Sequence, residues 1–188
     1  MNAKMDLDIV ELLIDEHEDI REKFREVRDA EPQARSGPFE ALVERLASHE
    51  AAEEALVHRT MRAEAGTEDE AAVVGEILEE EASAERRLAA MAELDPSTDG
   101  FMSQLDELEQ EVLAHAEHEE RDEFPAIRRR LGSQRRHELA ERFQRLRQAG
   151  PTRPHPETPQ EPHVRAALGP IVGVFDRARD QVRETLSD

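Results

Sequence analysis

The chain has 188 residues, a formal net charge of −20, 37% hydrophobic residues and no Cys, Trp or Tyr; that length makes one domain with an appendage around a sizeable core. Abundant Leu, Ala, Glu and Arg with few β-branched residues favour an all-α fold. The acidic surplus disfavours sequence-independent nucleic-acid binding and docking on anionic lipid, the missing thiols exclude disulfides and thiolate metal sites, and no run approaches the roughly 20 apolar residues of a membrane span.

Met1 to Lys4 leads into an amphipathic pattern without a signal-peptide core, so a cytoplasmic protein is expected. Over residues 6–30, Ile9, Leu13, Ile20, Phe24 and Val27 trace one helical face, and His17 falls on that face. The segment EPQARSGP reads as a loop, with Pro38 suited to be a first helical residue. A second helix over 39–64 puts Leu42, Leu46, His49, Glu53 and Leu56 inward. After a turn at 65–67, a third helix runs to about residue 94 with Val74, Ile77, Leu88 and Met91 inward, and the stripe continued from Ile77 lands on Glu81.

DPSTDG is a loop by composition. A fourth helix over 101–130 lines up Leu105, Leu108, Val112, His115 and Glu119, with Pro125 bending its far end. A short helix over 134–148 follows Ser133 as N-cap. The segment GPTRPHPETPQEP cannot be helical and reads as an extended connector. The tail over 163–186 is apolar enough for a helix that docks on the rest of the chain or on a second copy, which would make a homodimer. The organisation read from these signals is a bundle over 1–131, a short helix over 132–149, a connector over 150–162 and a C-terminal helix over 163–188.

Four helices of roughly 25 residues joined by short loops form an up-down-up-down four-helix bundle. At 1.5 Å per residue, His17, His49, Glu53 and Glu81 then lie roughly 17–22 Å from a loop, and His115 and Glu119, about 14 to 18 residues into the fourth helix, reach the same layer of the core. In both His49/Glu53 and His115/Glu119 the spacing of four puts imidazole and carboxylate on nearly one line of a helix. Three buried carboxylates without cations demand strongly raised pKa values, and the inward faces offer no Lys or Arg partner. Nitrogen and oxygen donors of this kind suit iron, manganese or zinc. Three carboxylates carry enough charge and bridging oxygen for two divalent ions, and two irons, carboxylate- or oxo-bridged, are the preferred content.

These residues carry a resemblance. DEHEDI with His17, HEAAEE with His49 and Glu53, and HAEHEERDEFP with His115 and Glu119 resemble the hemerythrin-like (HHE cation-binding) family over residues 8–130, in its bacterial form with a C-terminal extension. The resemblance implies a four-helix bundle around a non-haem di-iron centre that binds or reacts with dioxygen, peroxide or nitric oxide. One departure stands out: where the family has a histidine in its third helix, this chain reads LEEEASAERRL, with Glu81 at that register. Hard anionic donors stabilise ferric iron, so reversible oxygen carriage is disfavoured and catalase-like peroxide decomposition is the expected reaction. A non-catalytic sensor or store of iron, oxygen or nitric oxide is the alternative, and a metal-free scaffold a third reading. Ferritin-like relatives need a Glu three residues before a His, and no histidine here has one.

Around this core set, His118 lies about 60° off the His115 line and is expected beside the site or at the surface. His58, nine residues past His49, should fall about 180° round its helix and be structural, unless a bend brings it round. Asp122 is placed to orient a ligand by a hydrogen bond, and Glu85 replaces Glu81 if the third helix is rotated by one position. His137, His155 and His163 are expected in solvent. The basic run Arg128 to Arg130 with Arg135 and Arg136 reads as a solvated helix end, or alternatively as a self-association surface. No Gly-rich phosphate loop, GxSxG elbow or cysteine nucleophile is present.

Overall fold

A computed structural model of the chain describes residues 7–91, 94–149 and Asp180. All secondary structure among them is helical, with no strand. Helix α1 spans Ile9–Asp29. Its N-terminus is fixed by a capping box in which Asp8 accepts from the Val10 and Glu11 amides while the Glu11 side chain accepts from the Asp8 amide. Helix α2 spans Ser36–Glu53, so it begins before Pro38, which still falls among the first amides that have no helical partner.

Helix α2 does not continue regularly to residue 64. A π-helical turn, Glu54–His58, separates it from α3, Arg59–Glu64. Helix α4 spans Glu68–Met91 and α5 spans Asp99–His118, the latter capped by Thr98. A second π turn, Glu119–Glu123, leads into α6, Phe124–Arg130. Pro125 stands in the first turn of α6 and has no N–H to close a regular helix backwards, so the expected bend takes the form of this π turn. Helix α7 spans Ser133–Ala149. The proline-rich connector and the tail apart from Asp180, with His155 and His163, lie outside the described residues.

Helices α1 and α2 pack against each other, as do α4 and α5, with further contacts from α1 to α5 and from α7 to both α1 and α2. The apolar core falls into two clusters. One joins Ile9 and Leu13 of α1 to Leu56, Val57, Phe124, Ile127 and, from α7, Leu139 and Phe143. The other joins Ile20, Phe24, Leu42, Leu46, Leu88, Met91, Leu105 and Leu108. Between them lies a layer of buried polar side chains, and α1 shows the division: Leu13 belongs to one cluster, Ile20 to the other, and His17 falls between.

Arginines tie α7 down. Arg136 donates to Asp8 over 2.7 Å, and Arg147 donates to the buried Glu16, which also pairs with Arg45 at 2.9 Å. Arg45 corrects the expectation that no arginine faces inward: it is buried, but its partners are Glu16 and Asp19, not the carboxylates of the polar layer. Arg129 and Arg130 reach across to Glu70 on α4, so part of the basic run clamps two elements together.

Candidate metal centre

The polar layer is built from helical turns that all carry an ionisable residue where an apolar one would continue the stripe. From α1, His17 places Nε2 3.2 Å from Glu119 Oε2 and Nδ1 2.9 Å from Glu120 Oε1. Its ring stacks on Phe124 and meets His49 edge-on at 5.3 Å. From α2, His49 Nε2 lies 2.9 Å from Glu53 Oε2. From α5, His115 holds Nε2 3.7 Å from Glu119 Oε2 and 4.0 Å from Glu50 Oε2, while its Nδ1 is 3.2 Å from Glu80 Oε2.

Three groups offer ligand atoms that all lie within 4.8 Å of one another: His17, His49 and Glu53; Glu53, His58 and Glu119; and Glu50, Glu81 and His115. The layer thus brings together all six residues singled out from periodicity, and it adds Glu50 and His58. Glu85 belongs to none of these groups. His118 is mostly buried beside the layer, with Nδ1 2.9 Å from Glu80 Oε1. Asp122 pairs with Arg121 and lies 3.5 Å from His118 Nε2, at the outer side of the layer. The next residue, Glu123, is buried with Oε1 3.1 Å from His58 Nδ1.

His58 does not fall on the far side of its helix: a bend brings it round, the alternative that its spacing from His49 left open. In a regular α-helix five residues turn about 500°, which leaves His58 about 140° from Glu53. The π turn closes from residue i to i+5, so residues five apart stand over one another. His58 is therefore fully buried, with Nε2 2.7 Å from Glu81 Oε1. The same step of five stands Phe124 over Glu119 and turns its ring onto His17.

The protonation of the layer reflects crowding. Burial, with the Glu119 charge, holds the Glu53 carboxyl well above the usual range, and burial with Glu81 pushes Glu50 up to about 8. Burial would also raise Glu119, but the His115 and His17 imidazoles outweigh it and bring Glu119 down to about 2. Two neighbouring carboxyls cannot both ionise cheaply, so one keeps its proton. Burial would lower His58 and His115, yet Glu123 and Glu81 around the first, and Glu119 and Glu80 around the second, raise both well above the ordinary imidazole value.

The donor set fits a cation better than it fits itself. Both oxygens of Glu53 and of Glu119 are buried without a hydrogen bond, as are His17 Nε2, His49 Nδ1, His115 Nε2 and Glu123 Oε2. Each such acceptor costs about 1–3 kcal/mol, against total stabilities of about 5–15 kcal/mol for a domain. Ions shared by these atoms remove that penalty. Beside the layer, a cavity of about 10 Å³ is lined by His17, Ile20, His49, Glu50, Val112 and His115. That is room for about one water-sized molecule.

A chain whose described residues are all helical or in loops, and whose core is interrupted by clustered imidazoles and carboxylates with unmet lone pairs, is, by class, a cation-binding helical domain. The chain belongs to the hemerythrin family: the profile of the hemerythrin HHE cation binding domain matches residues 8–127. It is also similar to an uncharacterized hemerythrin-like protein of Schizosaccharomyces pombe, 27% identical over 84 residues, a match spanning 45% of this chain and 41% of that protein. No solved structure gives a significant match. None of the helices among the described residues is long and apolar enough to cross a membrane.

Proposed function

We propose that the polar layer holds two iron ions between α1, α2, α4 and α5, arranged as an up-down-up-down bundle, and that this di-iron protein binds or reacts with a small oxidant. Peroxide decomposition is the favoured reaction. The observation that carries the proposal is the set of buried carboxylate oxygens and imidazole nitrogens without hydrogen bonds, all directed at one another. His17, His49 and Glu53 would hold one ion; His115, Glu81 and Glu119 would contribute to the other. Glu53 belongs to two of the three groups, which suits a carboxylate shared between ions.

Bound iron would supply Lewis acidity and redox equivalents for converting two peroxide molecules to dioxygen and two waters. The chain's own part is selection and shielding. The cavity beside His17 and His115 is of about water size and is walled in part by Ile20, Val112 and Ala116, which favours a small ligand over a larger organic one. Glu80 and Glu120 hold the Nδ1 atoms of His115 and His17, which leaves each Nε2 turned toward the layer.

The test is metal content per chain after iron-replete growth, with a visible spectrum before and after peroxide and an assay of peroxide loss against free iron. Two irons, an oxidised absorption band and turnover above free iron are expected. Less than one metal per chain overturns the di-iron reading, and turnover equal to free iron removes the enzymatic one. The second reading, a sensor without turnover, is favoured by one contact: the Phe143 ring of α7, beyond the matched family region, lies 6.3 Å from the His49 ring. Occupancy-dependent proteolysis of the chain after α7 tests that reading.

A further inference from the structure

Helix α4 brings carboxylates to the polar layer but no histidine, since residues 68–91 contain none. An imidazole nevertheless faces α4 there, delivered by the π turn between α2 and α3. His58 is fully buried, with Nε2 2.7 Å from Glu81 Oε1 and Nδ1 3.1 Å from Glu123 Oε1. It offers a ligand atom within 4.8 Å of atoms from Glu53 and Glu119, all of whose carboxylate oxygens lack hydrogen bonds. We propose that His58 is a direct nitrogen ligand of the second ion through Nε2, and that Glu123 is the positioning residue that holds it through Nδ1. This rests on the reading of the layer as a two-ion site.

An imidazole ligand needs a lone pair on one nitrogen, and a carboxylate on the other N–H fixes both the tautomer and the ring plane. Glu123 at Nδ1 meets the second need, and the first is met when the incoming ion displaces the proton that Nε2 shares with Glu81. The two π turns act as a pair, one carrying the ligand and the other carrying the carboxylate that orients it. The competing state is a doubly protonated His58 that bridges Glu81 and Glu123 as a structural cation. That state leaves the four oxygens of Glu53 and Glu119 without donors, whereas a ring nitrogen of His58 lies within 4.8 Å of a carboxylate oxygen of each.

The test uses the full chain in two ways. Elemental analysis after iron loading is expected to give two irons in the unaltered protein, about half that in H58Q, and full stoichiometry in E123Q with affinity about 10- to 100-fold weaker, the usual loss for a carboxylate behind a ligating His. Independently of whether the variants fold, long-range proton–nitrogen spectra of the unaltered protein titrated with zinc should move the His58 Nε2 resonance to its metal-bound position while Nδ1 keeps its proton. Two irons of unchanged affinity in H58Q, or a His58 Nε2 still protonated at saturating zinc, overturns the inference while the two-ion site stands. An unaltered protein that takes up no metal overturns the site itself, and this inference with it.

Discussion

The carboxylates at the centre of the layer carry opposed demands in the metal-free and loaded protein. Glu53 is buried beside His49, with both oxygens lacking a hydrogen bond. Glu53 keeps its proton until pH rises through its raised pKa, whereas a neutral amide of the same shape supplies donors to the neighbouring Glu119 oxygens and cannot acquire the buried charge above that pH. E53Q should therefore stabilise the metal-free protein by about 1–3 kcal/mol at neutral pH and above, while losing most iron binding. Thermal unfolding with and without chelator checks this, and a metal-free E53Q that melts below the unaltered protein contradicts it. Glu80 stands one contact further out, holding His115 and His118 by their Nδ1 atoms; burial would raise its carboxyl, but the two imidazoles lower it below the ordinary value. E80A should weaken iron binding about 10- to 100-fold with stoichiometry unchanged, measured by competition with a chelator of known affinity.

At the level of elements, periodicity in threes and fours located α1, α4, α5 and most of α2, because each buries one apolar stripe with a polar interruption at the same depth. It did not locate the π turns, which are set by tertiary packing and shift the inward face by one residue. A signal was available for the first turn: Ala52 and Val57, Glu53 and His58, and Leu56 and Met61 are all buried pairs at a spacing of five. Pro125 marked the second turn, though not its type. Glu50 escaped because it neighbours His49 and reaches the layer from the edge of the stripe. Helix α7 was legible as a helix and not as part of the core. Phe143 is fully buried against His49, and Leu139 and Leu146 join the same apolar cluster. F143A should cost about 3–5 kcal/mol and raise the rate at which chelator strips the metal. A variant stripped no faster would mean that α7 does not shield His49.

The whole molecule sets how these local terms respond to solution conditions. With a net charge of −20, self-repulsion opposes the compact state. Raising salt from about 0.1 M to about 1 M shortens the screening length from about 10 Å to about 3 Å and should raise the melting temperature. Buried groups are screened much less, so their pH dependence persists at high salt. Glu50 and Glu53 have folded pKa values above their ordinary 4.5, and His58 and His115 lie above 6.5. Each contributes stability that is fully present below the ordinary value and lost as pH rises through the folded one. Glu119 has the opposite sign: held near 2, it contributes above 4.5 and loses that contribution as pH falls. From about pH 5 to pH 9 the first set dominates the change, so the metal-free protein should melt at progressively lower temperature as pH rises. Cations bind the deprotonated ligands and release those protons, so the iron- or zinc-loaded protein should become more stable over the same range. Melting curves at about pH 5.5, 7 and 8.5, in chelator and in excess metal, compare the two slopes directly. Parallel slopes would mean that the protons and the ions do not compete for the same buried atoms.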